Sequence, residues 1–212
     1  MRTAIRALLS IIVLCPYLAA EPEPAGPVLS TPGSIPHDGM VRTYRLYVPD
    51  GAGPFPLVVV LHPLGSTGKR MERYTRFSKL AQEENFIVVY PNAIRKRWND
   101  RAYRTHAIDD VSFIAALLDH LEANFPVDAA RVYATGASNG GTLANRLACD
   151  LENRFAAVAP VIADVPYLVQ LRAGSTAPIP ILMINGTRDL LVRFSTIPER
   201  DTKIGIVTAE QT

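Results

Sequence analysis

Arg131-Val132-Tyr133-Ala134-Thr135-Gly136-Ala137-Ser138-Asn139-Gly140-Gly141-Thr142-Leu143-Ala144 is the stretch on which the reading of the whole chain turns. Arg131 to Ala134 predicts a short strand, and the residues after Ser138, to about Leu151, predict a helix. Between them Gly136-Ala137-Ser138-Asn139-Gly140 fits G-x-S-x-G. In the order strand, tight turn, helix, such a serine stands on a sharp turn with its hydroxyl exposed above the sheet. The flanking glycines remove side chains that would collide with the neighbouring strand and helix. The helix N-terminus behind the serine favours an oxyanion. Ser138 is therefore the candidate nucleophile; outside that setting the same spacing reads as a glycine-rich turn.

Working outward, the segments on both sides alternate between strand and helix. Leu57-Val58-Val59-Val60-Leu61 is a continuous apolar run, as expected of a strand covered on both faces. A helix is predicted from about Arg70, with Met71, Tyr74, Phe77 and Leu80/Ala81 as its inner stripe. Phe86 to Tyr90 reads as a second buried strand, stopped by Pro91-Asn92. Asp109-Asp110 opens a helix where its dipole favours negative charge, with Phe113, Ile114, Leu117, Leu118 and Leu121 facing inward until Pro126. Met40 to Val48 suits a half-exposed strand, and Phe155–Ala163 and Ile179–Ile184 supply two more apolar strands. This order predicts an α/β fold: a mostly parallel sheet with helices on both faces.

Loops at the carboxyl ends of parallel strands line the crevice where ligands bind. Leu61-His62-Pro63-Leu64-Gly65 is one of them. With a nucleophile at Ser138, the oxyanion donors are the N–H of Asn139 and an N–H of this loop; Pro63 has none, which leaves Leu64. His62 is either a general base or a ring that orders the loop. Asn185-Gly186-Thr187-Arg188-Asp189 follows the strand ending at Ile184, and Asp189 stands in the order serine, acid, histidine; the alternative is an aspartate in a polar turn. The histidines are His37, His62, His106 and His120, and none follows Asp189. A serine without its base is a weak nucleophile.

The rest of the chain narrows the class. A length of 212 residues suffices for one domain with a substantial core. The net charge of +2 and the scattered Lys and Arg argue against a nucleic-acid partner. No His/Cys/carboxylate cluster has metal-ligand spacing. Residues 1–20 carry two arginines and then an apolar run of about fourteen residues, too short to span a bilayer but laid out as a secretory signal peptide. The expectation is a secreted protein, extracellular or periplasmic, with no stable membrane insertion after cleavage. Residues 21–38 are proline-rich and read as a tether, leaving 39–212 as the domain. Once 1–20 are removed, Cys149 is the only cysteine left.

Taken together these residues resemble the polyhydroxybutyrate depolymerase and feruloyl esterase group of α/β-hydrolases. The resemblance rests on Leu57 to His62, Tyr90-Pro91-Asn92, Trp98-Asn99, Asp109 to Ile114, Arg131-Val132-Tyr133, Gly136 to Gly141, Leu147-Ala148-Cys149 and Asn185 to Asp189. It implies an exported serine carboxylesterase acting on polyesters or on feruloyl or acetyl esters of plant polysaccharides, with no metal or organic cofactor. It implies Ser138 as nucleophile, Asp189 as triad acid, and Leu64 with Asn139 as oxyanion donors; His62 and Trp98 are candidate substrate contacts. Pro63 departs from the glycine usual there. The group also has a further strand, a glycine-rich turn carrying the histidine, and a last helix. The chain ends at Ala209-Glu210-Gln211-Thr212 and so resembles a member lacking that C-terminal strand and helix. A hydrolase scaffold that binds an ester or polysaccharide without turnover, stacking rings on Trp98, Tyr103 and Tyr74, is the alternative.

Overall fold

The computed structural model describes residues 30–100, 108–166, 178–189, 192 and 206–207. The expected signal segment 1–20, the first part of the expected tether, His106 and Tyr103 lie outside them. Six strands form one sheet in the order β1 (Thr31–His37), β2 (Met40–Tyr47), β4 (Ile87–Pro91), β3 (Phe55–Leu61), β5 (Val127–Ala137) and β6 (Ala157–Val161). The β1–β2 and β2–β4 pairs are antiparallel, and β4–β3–β5–β6 run parallel. A two-residue antiparallel pair, β7 (Val165–Pro166) with β8 (Ile206–Val207), lies apart from it.

Side-chain alternation along β3 explains how the sheet is covered. Leu57, Val59 and Leu61, with Ile87, Val89, Val132 and Ala134, join one cluster with Phe113, Ile114, Leu117, Leu118 and Leu121 of α3 (Asp110–Asn124) and Leu143 and Leu147 of α4 (Asn139–Asp150). On the opposite face Val60, Val88 and Tyr90 meet Met71 of α1 (Gly68–Thr75) and Ala81 of α2 (Phe77–Glu84). The α3 stripe read from sequence is fully buried at all five positions. Its N-cap Asp109 accepts from the N–H groups of Val111 and Ser112, satisfying two first-turn donors.

Three expectations change. The single helix from about Arg70 is two helices, because Arg76 adopts φ 54° and ends α1 before α2 begins. The break re-phases the face: Met71 and Ala81 stay buried, whereas Tyr74 is 75% exposed and Leu80 is exposed as well. The end of the expected tether is not a tether, since Thr31–His37 pair with β2 along their whole length. Pro32 and Pro36 are four residues apart and share one backbone parity. On an edge strand that parity can face solvent, where a missing N–H removes no ladder bond. Finally, the segment expected as a strand at Ile179–Ile184 runs parallel to β6 through two isolated bridges, Val158 with Ile181 and Val161 with Ile184. Its Ile181, Leu182 and Ile184 side chains are exposed.

Candidate active site

Ser138 occupies the junction between β5 and α4 with φ 52° and ψ −121°, a conformation that a non-glycine residue rarely adopts. Its N–H donates to Val161 O (2.9 Å), which ties the turn to the end of β6. Glycines make the turn possible. A Cβ on Gly140 would lie 2.5 Å from Leu61 O, and one on Gly136 would lie 2.7 Å from the Gly140 backbone. The first turn of α4 can therefore sit directly against the ends of β3 and β5. Ser138 is the N-cap residue but its side chain makes no capping hydrogen bond.

The loop after β3 is shaped by a turn in which Ser66 N–H donates to Pro63 O (3.1 Å) and Gly65 has φ 76°. A positive φ at the third of four turn residues is the type II pattern, which glycine satisfies without strain. Gly65 N–H donates to Lys96 O (2.8 Å), and among the described residues the Leu64 N–H has no acceptor. The Leu64 side chain is 61% exposed.

His62 is fully buried, with both ring nitrogens engaged. Nε2 accepts from Ala93 N–H (3.0 Å) and Nδ1 lies 2.8 Å from Pro63 O, which as a carbonyl can only accept. The partners thus fix the neutral tautomer with the proton on Nδ1. Burial holds the imidazole's pKa below its ordinary value, against the opposing pulls of the Pro63 carbonyl and the Asp110 charge. This ring orders the loop and has no nitrogen left to act as a base.

Trp98 is also fully buried. Its Nε1–H donates to His62 O (2.9 Å), and the imidazole and indole centroids are 4.9 Å apart. Its backbone is gripped from the Ser138 side, where Trp98 N–H donates to Asn139 Oδ1 (2.8 Å) and Asn139 Nδ2 donates to Trp98 O (3.2 Å). The next residue is anchored to α3: Asn99 N–H donates to Asp110 Oδ2 (2.7 Å), and Asp110 Oδ1 accepts from Arg42 Nη2 (2.6 Å). One buried tryptophan thus ties the Ser138 turn to the loop after β3. Sequence reading placed His62 and Trp98 at a substrate surface; in the structure neither presents one, so the stacking role drawn for Trp98 has no exposed ring to work with. The reading also used only the backbone of Asn139 and missed its side chain. The signal available was an amide directly after the serine, a residue type able to satisfy one N–H and one C=O together.

Asp189 is half-buried and closes a turn in which its N–H donates to Gly186 O (3.1 Å), while its Oδ1 accepts from Val192 N–H (2.9 Å). Asn185, just before that turn, grips Ala163 through Ala163 N–H to Oδ1 and Nδ2–H to Ala163 O, both 2.9 Å. The other described histidines are engaged elsewhere, His37 with Ser112 Oγ (2.9 Å) and His120 with the Tyr44 hydroxyl (3.1 Å).

Residues 42–177 match the family described as esterase PHB depolymerase. The chain belongs to that family. Among relatives of this esterase family, "Putative esterase NocK" of Nocardia uniformis is 32% identical over 89% of the chain and 58% of its own length. Feruloyl esterase B of Neurospora crassa is 34% identical over 65% of the chain and 49% of its own length. Poly(3-hydroxyalkanoate) depolymerase C of Paucimonas lemoignei is 33% identical over 57% of the chain and 31% of its own length. The matched part of the chain thus spans about half or less of these relatives. Among solved structures, S-formylglutathione hydrolase of Staphylococcus aureus superposes with a TM-score of 0.62 at 17% identity, over 76% of the chain and 81% of that structure. A thermostable esterase gives 0.62 at 21%, over 83% and 51%. The fold is that of the α/β-hydrolases, in accord with the sheet predicted from sequence.

Proposed function

We infer that the intact protein is an exported carboxylic-ester hydrolase that acts through an acyl-enzyme on Ser138. The observation that carries this reading is Ser138 itself: a serine at φ 52°, at a strand–helix junction so tight that only glycine fits at 136 and 140, in a member of an esterase family. Strained conformations persist where surrounding structure over-determines them, and they concentrate at functional sites.

In the proposed reaction Ser138 Oγ attacks the ester carbonyl carbon, the alcohol leaves with a proton, and water later releases the acid. The oxyanion would lie between the N–H of Leu64 and that of Asn139. The first is left open by its turn, and the second sits at the start of α4, where the helix dipole favours negative charge. Asp189 would orient the histidine that the family resemblance puts after it; His37, His62 and His120 are engaged in other hydrogen bonds. Polyesters and feruloyl or acetyl esters of polysaccharides are the substrate classes suggested by relatives named feruloyl esterase and poly(3-hydroxyalkanoate) depolymerase. Export rests on residues 1–20.

The test is labelling of the intact natural protein with a fluorophosphonate probe. Covalent labelling at Ser138, lost in Ser138→Ala, is the expected result. Labelling that persists in the variant assigns the nucleophile elsewhere.

A further inference from the structure

The turn that follows β6 contains a second strained, non-glycine conformation. Ile162 has φ 50°. A β-branched residue in the left-handed region is a steric outlier, and such conformations cost on the order of 1–3 kcal/mol. The turn is held in place from three sides. Ile162 N–H donates to Ile184 O (2.8 Å), and Asn185 grips both backbone groups of Ala163. From α4, Thr142 Oγ1 donates to Asp164 Oδ1 (2.8 Å) and Asn145 Nδ2 donates to Asp164 O (2.9 Å). Ala163 and Asp164 are buried by these contacts, but the strained residue points outward: Ile162 is 43% exposed. Burial therefore does not explain why an isoleucine stands where glycine or asparagine would cost less.

Position supplies the reason. Ile162 lies at the carboxyl edge of the parallel sheet, where ligands bind in such folds. The residue before it, Val161, accepts the Ser138 N–H. In the strand order β3-β5-β6, Ser138 follows the middle strand, with exposed Leu64 after one neighbour and exposed Ile162 after the other. We propose that Ile162 is a substrate-contacting residue, the apolar wall on the β6 side of Ser138, and that it favours esters with an acyl group larger than acetyl, a longer alkyl chain or an aryl group, over acetyl esters. The proposal rests on the esterase reading for its catalytic consequence, but the contact itself does not require turnover.

The experiment uses the intact protein with p-nitrophenyl butyrate and p-nitrophenyl acetate. Ile162→Gly and Ile162→Asn both relieve the backbone, since glycine and asparagine tolerate positive φ, so neither variant is expected to unfold. The ratio of kcat/KM for butyrate over acetate is expected to fall roughly tenfold in both, the scale of losing an apolar contact in a pocket. Melting temperature should hold or rise. In parallel, p-nitrophenyl butyrate is titrated into the Ser138→Ala protein while the Ile162 δ1-methyl resonance is followed; it should shift, and shift less with the acetate. An unchanged ratio in both variants, or a methyl that stays in place, overturns the proposal. A shifting methyl in a wild-type protein that hydrolyses neither ester overturns the esterase reading and leaves the contact standing.

Discussion

Asn139 and Asn185 each hold a single backbone residue by both its N–H and its C=O, Trp98 in one case and Ala163 in the other. Each stands next to a strained, non-glycine residue: Asn139 follows Ser138 (φ 52°), and Asn185 holds the residue after Ile162 (φ 50°). The surroundings differ. Around Asn139, the gripped Trp98 is continued by His62 on one side and by half-buried Asn99 and then Asp110 and Arg42 on the other, with His62, Asp110 and Arg42 all buried. Around Asn185, the preceding segment meets β6 through two bridges and exposes Ile181, Leu182 and Ile184, and the turn leading to Asp189 is open to solvent at 186–188. The same amide device thus sits in a rigid half that carries the candidate nucleophile and in a looser half that carries the candidate acid. Preorganisation comes from what the gripped residue is itself packed against, more than from the grip.

The largest test of this contrast removes the anchor at the far end of the rigid half. Arg42 and Asp110 form a fully buried ion pair, with the guanidinium 3.7 Å from the Phe113 ring centroid. Asp110→Ala leaves the buried Arg42 charge without its carboxylate, with only the Asn92 carbonyl and the Phe113 ring beside it, and frees the Asn99 N–H. Denaturant unfolding should show a loss of about 3–5 kcal/mol. A loss below about 1 kcal/mol would mean the rigid half does not depend on this anchor.

Next in size is the direct comparison. Asn139→Ala strands the N–H and C=O of a buried tryptophan and should cost about 1–3 kcal/mol, with fluorophosphonate labelling of Ser138 slowed. Asn185→Ala leaves equivalent groups beside an exposed segment where water can reach, and should cost about 1 kcal/mol or less with little change in labelling. Equal losses and equal labelling rates would break the comparison.

The smallest effect is a pH dependence confined to the rigid half. His62 is held neutral by burial, its pKa below the ordinary 6.5. The unfolded chain takes up a proton there as pH falls through about 6.5, while the folded protein does not until its own lower pKa is reached. Stability attached to His62 is therefore full above that range and declines as pH falls through it, by at most about 1.4 kcal/mol per pH unit. Unfolding measured from pH 8 to 5 should show a shallower decline in His62→Gln than in the wild type. Identical slopes would mean that the ring is not held neutral.

Much of this was legible in the sequence, for reasons that differ by element. The α3 stripe and the β3 run are periodic signals spread over many residues, and both came out as read. The shape of the Ser138 turn was legible because G-x-S-x-G states a steric requirement, and the tight contacts at Gly136 and Gly140 are that requirement seen in space. The edge strand Thr31–His37 was missed because proline density argues against a ladder everywhere except at an edge. The break at Arg76 was missed because an arginine at positive φ carries no compositional mark. For Trp98 the sequence left a stacking ring and a packed interior ring both open, because one aromatic residue carries no periodic signal; the Asn139 and His62 partners and full burial decide for the interior. Ile162 was the least legible, since its residue type argues against its conformation.

The Trp98 junction has a consequence for the order of assembly. Its indole bond spans 36 residues back to His62, and its backbone bonds span 41 residues forward to Asn139. Each requires closing a long chain segment, so neither is rewarded until β3, β4 and β5 are already side by side. In refolding, helical and sheet signals should therefore recover before Trp98 reaches its buried environment. The serine turn would be the last part of the described core to mature.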